Sequence, residues 1–202
     1  MIYDIGNIGN KVYDYVDLGL PSKTLWATKN VGASKPSDFG LYFQWGDTQG
    51  YTRDQVGKGN GKKEFYWKDY KWDLKGDGRT FTKYTNPGDR LELEDDAAYI
   101  NMGGDWHIPS PKQIKELLDN TTNEWTIWNG VEGIFFHSKK DELKKIFIPI
   151  YDNDVYGALW SSMIDTRFAD CGRCLTFDSG GAELDFDGRD CGFPVRGVIG
   201  GY

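Results

Sequence analysis

Apolar and polar residues alternate in several short segments of this chain, and a period of two residues is typical of half-buried β-strands. Residues 13 to 28, YDYVDLGLPSKTLWAT, contain two such segments around a Gly-Leu-Pro-Ser turn. Residues 124 to 138 contain two more, and Asn129-Gly130 between them is a strong hairpin signal. The aromatic run at 42 to 45 and the apolar run at 145 to 150 predict two further strands. The pattern therefore predicts a small twisted antiparallel sheet.

Two segments change to a helical pattern. LELEDDAAYINMG, at 91 to 103, has acids in its first turn and a glycine at its end, and both features favour a helix. A second helix is expected to start at Pro111 with Ser110 as its N-cap, and to bury Ile114, Leu117 and Leu118. Residues 49 to 90 show neither period and predict a loop insertion. We therefore expect one α+β domain, with two helices on the sheet and long irregular loops.

Length and charge limit the classes of function. A chain of 202 residues with 39% hydrophobic residues is long enough for one sizeable core. Its formal net charge of −7 disfavours nucleic acid as a partner. The chain does not open with the basic and then apolar segment of a signal peptide, and it contains no run of 18 apolar residues. We therefore expect no membrane insertion.

The C-terminal part of the chain differs in composition from the rest. Seventeen lysines occur up to Lys145 and none follows, while residues 146 to 202 contain nine acids and four arginines, a balance of −5. All three cysteines, Cys171, Cys174 and Cys191, lie here. Two alternating segments around Ser179-Gly180-Gly181 predict a hairpin. A charge shift of this size indicates a surface with its own function.

Several motifs here resemble a known family. Trp160-Ser161-Ser162, Leu175-x-Phe177-Asp178-Ser179-Gly180, Arg189 and Gly192-Phe193-x-Val195-Arg196 resemble the C-terminal variable region of proteins diversified by retroelements. Those proteins belong to the formylglycine-generating-enzyme-like branch of the C-type lectin fold. Near the other end, DLGLPS, LWAT, NVGA and WG resemble the opening of the major-paralogous-domain proteins of gut and rumen bacteria. The resemblance covers about residues 15 to 199.

The resemblance implies one C-type lectin-like domain over residues 1 to 202. Residues 1 to 12 would be an N-terminal extension, 49 to 90 a loop insertion, and 160 to 198 the variable ligand-binding region. In such families miscopied template adenines turn AAY codons into NNY, which cannot encode Lys, Gln, Glu, Met or Trp. Residues 164 to 191 contain none of these except Glu183. Glu183 therefore either lies outside the varied codons or counts against diversification.

The implied function is ligand recognition, as a phage receptor-binding protein or a displayed adhesin, and not catalysis. The partner would be a protein or glycan on a bacterial or host cell surface, bound without cofactor or metal. The chain would be virion-associated, on the cell surface or extracellular, and could fold in the cytoplasm first. Its core anchors would be Trp160, Leu175, Phe177, Phe193 and Val195. The residues expected to bind the ligand are Asp165, Arg167, Phe168, Asp170, Cys171, Arg173, Cys174, Gly181, Glu183, Asp185, Asp187, Gly188, Asp190 and Cys191.

The predicted hairpin suggests how these side chains combine. Arg173 and Asp185 or Asp187 are expected to reach one solvent-facing surface. Such a mixed acidic surface favours a partner with basic or hydrogen-bonding groups. Phe168 and the arginines are expected to be its energetic centres, because aromatic and arginine side chains dominate most interfaces.

Several alternatives remain open at this stage. The three cysteines could bind zinc, form a redox pair, or serve a copper-dependent oxidase of the formylglycine-generating type. Residues 185 to 190 contain acids but depart from the calcium-loop order. Ser161 and Ser162 are expected to bond backbone in a turn, although a nucleophile is conceivable. The chain could also be a surface protein of this fold that is not diversified. A platform for sugars could form from Phe65, Tyr66, Trp67, Tyr70 and Trp72.

Overall fold

The first of three antiparallel sheets joins the two ends of the chain. The computed structural model describes residues 4–8, 11–59, 61–150 and 154–201, with side chains from residue 13 onward. Within this part of the chain the strands have the order β1-β2-β3-β10 and antiparallel pairing. The two strands predicted in residues 13 to 28 are confirmed, and part of the supposed N-terminal extension forms β1. The bounds are β1 (Asp4–Ile8), β2 (Lys11–Asp17), β3 (Leu25–Ala27) and β10 (Val198–Ile199).

The second sheet contains the predicted hairpin. Asn129 and Gly130 both have positive φ, 53° and 79°, as a two-residue type I′ turn requires. Trp128 pairs with Val131 on either side of this turn, and the third strand pairs with the second. The hairpin and the strand at 145 to 150 are therefore confirmed. The bounds are β4 (Thr121–Trp128), β5 (Val131–Ser138) and β6 (Lys145–Pro149).

The third sheet carries the candidate site. Its order is β7-β8-β9, so that the last strand is an edge. Asp178 pairs with Gly181 across the turn, which confirms the predicted hairpin, and this pair sets the register of the two strands. The bounds are β7 (Gly157–Ile164), β8 (Cys171–Asp178) and β9 (Gly181–Gly188).

The two helices differ in how well they were predicted. Helix α2 (Pro111–Asn120) starts as expected: Gln113 N donates to Ser110 Oγ at 3.3 Å, and the Gln113 side chain caps Ser110 N in return. Helix α1 (Ala97–Met102) is shorter than the predicted 91 to 103. The reason is Asp96, whose carboxylate accepts hydrogen bonds from Ala98 N and Tyr99 N and so caps the helix there.

The aromatic run at 42 to 45 is not a strand, contrary to the prediction. Tyr42 and Phe43 each form a single bridge, to Tyr51 and Phe193. Residues 49–59 and 61–90 form the predicted loop, with short 3₁₀ turns at Arg53–Gln55 and Trp67–Asp69. The side chains around 42 to 45 are nevertheless buried, because they fill the core and not because they lie in a sheet.

The side chains that the structure describes form two core clusters, one on each side of the third sheet. Trp160 and Cys174 belong to the cluster that contains α1 residues, whereas Leu159 and Leu175 belong to the cluster that contains Ile114 of α2. Neighbouring residues of β7 and β8 thus point to opposite sides, as a strand requires. The five predicted anchors are confirmed, since Trp160, Leu175, Phe177 and Val195 are buried and Phe193 packs against the first cluster.

These elements make the protein an α+β fold dominated by antiparallel sheet, as expected. Neither helix in the described part of the chain has the length or the apolar character needed to cross a bilayer.

Candidate functional site

The β8–β9 register separates the predicted ligand-binding residues into two groups. Arg173 lies opposite Phe186, whereas Asp185 lies opposite Cys174 and Asp187 opposite Gly172. Residues that lie opposite each other in an antiparallel pair point to the same side, and their sequence neighbours point to the other. The prediction that Arg173 shares a surface with Asp185 or Asp187 is therefore wrong. We call the side with Arg167, Phe168, Arg173 and Phe186 the arginine face, and the side with Asp185, Asp187 and Cys191 the acidic face.

A buried carboxylate organises the arginine face. Asp165 was expected at the surface, but its side chain is 0% exposed. Its Oδ1 accepts from Arg167 N at 2.8 Å and from Arg167 Nε at 3.2 Å, and its Oδ2 accepts from Arg173 Nη1 at 2.9 Å. Burial favours protonation, but these three donors outweigh it and hold the pKa of Asp165 below its usual range. Asp165 is thus a support for the arginines and not a contact residue.

Arg167 and Phe168 are the exposed part of this face. The Arg167 side chain is 59% exposed and Phe168 is 45% exposed. The guanidinium carbon of Arg167 lies 4.9 Å from the ring centre of Phe186 and 5.3 Å from that of Phe168, and the two rings are 5.4 Å apart. Cation–π contacts of this kind fix the position of an arginine. The structure therefore brings together Arg167, Phe168 and Arg173, and adds Phe186, which the sequence reasoning had missed.

The acidic face is partly buried. Cys174 was predicted to bind ligand, but it is 0% exposed and belongs to the core, because it projects from β8 toward the cluster around Trp160. Cys191 Sγ lies 3.5 Å from Asp187 Oδ1. Burial raises the pKa of Asp190 to about 6. Tyr156 belongs here too, since burial and the nearby charge of Asp187 raise its pKa.

The remaining predicted residues are spread along the hairpin. Gly181 and Glu183 lie at its turn, while Gly188 pairs with Cys171 at the opposite end. Gly188 lies seven positions after Gly181 along the strand, roughly 23 Å away at about 3.3 Å per residue. The structure therefore does not bring Gly181 and Glu183 to the arginine face. Asp170 and Cys171 lie beside it, in and after the loop that carries Phe168.

The three cysteines of this region are free thiols. Cys171, Cys174 and Cys191 are free, and no described group of three His, Cys, Asp or Glu residues that includes a cysteine has its ligand atoms within 4.8 Å of one another. Burial and the charge of Asp170 raise the pKa of Cys171 to about 12. Burial and Asp187 raise the pKa of the other two thiols as well. Since the thiolate is the reactive form in thiol exchange, the raised pKa values of these free thiols disfavour a redox pair.

The serine prediction is also wrong. Ser161 and Ser162 are buried inside β7, and neither hydroxyl has a hydrogen-bond partner within the described residues. His107 is directed elsewhere, with Nδ1 at 3.1 Å from Asp105 O and Nε2 at 3.4 Å from Gln113 Nε2. No base therefore activates either serine in the described part of the chain.

A buried arginine links the loop insertion to the site. Arg189 is 0% exposed and donates to Tyr70 Oη, Tyr84 O and Ala169 O, each at 2.9 Å. Its guanidinium carbon also lies 4.3 Å from the ring centre of Phe81. The insertion is thus fastened to the loop before β8. Aromatic residues of 49 to 90 such as Tyr70 serve as anchors, and this anchoring of Tyr70 argues against the full sugar platform.

The insertion also contributes a cleft that the sequence reasoning had missed. This cleft has a volume of about 530 Å³ and lies between residues 78–85 and the loop before β8. Arg79 and Asp170 are its charged residues. Its only sequence signal is the density of aromatic and charged residues in the insertion, which does not reveal a partner in space.

No family model, curated protein or solved structure matches this chain.

Proposed function

We propose that this chain is a binding module of the C-type lectin fold whose C-terminal surface recognises a partner on a bacterial or host cell. The observation that carries the proposal is the exposed pair Arg167 and Phe168, held over Phe186 and the buried Asp165. Exposed aromatic and arginine side chains on a rigid support are typical of the residues that dominate interfaces. Because the support is already ordered, binding would cost little conformational entropy.

The motif residues support the lectin-like part of this proposal. Trp26 and Trp45 are 0% exposed and Trp160 is 1% exposed, so the residues that carry the resemblance are core residues. Trp45 Nε1 donates to Ser161 O at 2.8 Å and Trp160 Nε1 donates to Phe43 O at 2.7 Å, which joins the opening motifs to the C-terminal ones. Thr166, Arg167 and Phe168 between those anchors are exposed and can differ without disturbing the core.

The test compares binding to intact cells. Fluorescently labelled wild-type chain is measured by flow cytometry against a panel of gut bacteria and host epithelial cells. The double variant Arg167→Ala, Phe168→Ala should lose binding to every cell type that the wild type binds, while its unfolding free energy stays within about 1 kcal/mol, as for other surface substitutions. The matched control Lys112→Ala, Leu143→Ala removes an exposed lysine and an exposed leucine outside the third sheet.

Two outcomes count against the proposal. Equal binding by the double variant would remove Arg167 and Phe168 from the interface, and binding by neither protein across the panel would leave the module without the proposed target. The diversification part is tested separately in the genome. It requires a reverse transcriptase gene beside a template copy of the codons for residues 160 to 198 that differs only at adenines.

A further inference from the structure

Resting on the proposed function, we infer that the arginine face binds a carboxylate on a protein partner, an Asp or Glu side chain next to an apolar residue, and that Arg167 is the group that receives it. This differs from the partner with basic or hydrogen-bonding groups that the sequence predicts, because that prediction assumed one mixed acidic surface.

The first step is the local charge. Two arginines share one buried carboxylate on this face, so Arg167, Arg173 and Asp165 together carry a net charge of +1. Asp185 and Asp187 lie on the other side of the hairpin. Asp170, the remaining acid of the loop, lies beside this face in the cleft that also contains Arg79, so this neighbouring pair of opposite charges adds no net charge. In a chain with a net charge of −7, the arginine face is thus a local positive site that attracts an anion.

The second step is the state of the Arg167 guanidinium. Its Nε binds Asp165, while Nη1 and Nη2 bind no protein group in the part of the chain that the structure describes. The guanidinium also lies over the rings of Phe168 and Phe186. The two terminal nitrogens therefore form a fork that is already oriented and open to solvent. Arg173 is only 20% exposed and is held by Asp165, so it supports the charge without competing for the ligand.

The third step is the class of ligand. A guanidinium fork matches the two oxygens of a carboxylate in a planar, bidentate arrangement, and the single excess charge matches a monoanion. Phe168, which is 45% exposed beside the fork, offers an apolar surface for a neighbouring side chain. One face of each ring is covered by the guanidinium, which leaves less aromatic surface for stacking on a sugar. The arrangement therefore favours an acidic protein segment over a glycan.

The experiment selects ligands without assuming the natural partner. A displayed library of random twelve-residue peptides is enriched on the immobilised full chain, and the bound sequences are read. We expect Asp or Glu next to an apolar residue in the enriched peptides. For a representative peptide, replacing that acid by its amide should weaken binding about tenfold, as expected for a charge-assisted bond.

Three variants of the chain make the test specific. Arg167→Gln should weaken peptide binding at least tenfold. Arg167→Lys should recover only part of it, because an ammonium keeps the charge but not the fork. Lys112→Gln, which removes an exposed positive charge on α2, should change binding less than twofold. In the reversed pair, the Arg167→Glu chain is combined with a peptide that carries Arg in place of its acid. This combination should bind more tightly than either change combined with an unchanged partner.

The other outcomes overturn the inference and are distinguishable from failure of the proposed function. Recognition would lie on the acidic face if the enriched peptides are basic. The same follows if their binding survives Arg167→Gln but is lost in the double variant Asp185→Asn, Asp187→Asn. The binding module would then stand and the carboxylate would not. If no peptide is enriched while cell binding still requires Arg167 and Phe168, the partner is not an acidic protein segment. If no peptide is enriched and cell binding does not require Arg167 and Phe168, both proposals are overturned.

Discussion

Replacing Asp165 by asparagine tests the internal support of the arginine face. The substitution keeps the size of the side chain and removes the charge that Arg167 and Arg173 share. Arg173 dominates the cost because it is only 20% exposed, whereas the 59% exposed Arg167 is screened by water. Breaking a buried ion pair from one side costs roughly 3 to 5 kcal/mol. With one arginine partly solvated, we expect the lower end, about 3 kcal/mol.

The assay is unfolding by denaturant and by heat, each followed by tryptophan fluorescence. For a chain of this length, about 3 kcal/mol corresponds to a fall in Tm of about 6 to 12 °C. Adding Arg173→Met to Asp165→Asn should restore most of the stability, since replacing both partners of a buried pair is often nearly neutral. Adding Arg167→Met instead should restore little, because Arg167 is mainly exposed.

The dependence of the unfolding free energy on pH at acid pH, the acid limb of the stability profile, gives an independent check. The folded pKa of Asp165 is lowered, so its contribution to stability is fully present above the pKa of the unfolded chain, about 4, and is lost as pH falls through the folded value. Asp165→Asn should therefore approach the wild type in stability below about pH 4. A loss of less than about 0.5 kcal/mol at neutral pH, with an unchanged acid limb, would refute the role assigned to Asp165.

Three further predictions concern the surroundings of the site. Arg189→Lys should lower the free energy of unfolding by about 3 kcal/mol and speed tryptic cleavage within residues 49 to 90. The reason is that a lysine cannot reproduce the contacts to Tyr70, Tyr84 and Ala169. Arg79→Lys, at an exposed arginine, is the control. Asp190→Asn should raise the free energy of unfolding by about 1 to 2 kcal/mol at pH 7.5 and leave it unchanged near pH 4. The reason is that the folded pKa of Asp190 is raised to about 6, so ionisation of this carboxyl destabilises the wild type as pH rises from about 4 to about 6. Iodoacetamide should modify Cys171 at pH 7.5 at least 100-fold more slowly than it modifies the urea-unfolded chain, because a pKa of about 12 leaves little thiolate.

Local signals explain which elements could be predicted. The hairpin at Asn129-Gly130 and the start of α2 at Ser110 depend on residues within a few positions of each other, and both are confirmed. The start of α1 was predicted too early because an acid such as Asp96 suits both the first turn of a helix and the N-cap position. In the structure Asp96 is the N-cap, so the helix begins after it. Phe43 and Trp45 were misplaced in a strand because burial by tertiary contacts looks the same in sequence as burial in a sheet.

The division of the site into two faces was available in the sequence. Once Ser179-Gly180 is a two-residue turn, Asp178 must pair with Gly181, and every later pair follows. Arg173 then points to the same side of the hairpin as Leu175, two residues further along the strand. Leu184 pairs with Leu175, so its neighbour Asp185 points to the other side. By contrast, no local pattern could place Arg189, whose bond to Tyr70 spans 119 residues. Only the folded path of the insertion brings those groups together.

The backbone contacts around the loop explain why its side chains are able to vary. Asp165 O accepts from Gly88 N, Asp165 N donates to Cys171 O, and Ala169 O is held by Arg189. These bonds use main-chain atoms and the buried side chain of Arg189, and the buried side chain of Asp165 adds a bond from Arg167 N. The side chains of Thr166, Arg167 and Phe168 are exposed. Substitutions at the three exposed positions therefore change what the surface presents and leave the loop conformation in place. The same substitutions at Asp165 or Arg189 would remove the groups that define the loop, so a diversified surface requires these two positions to stay fixed.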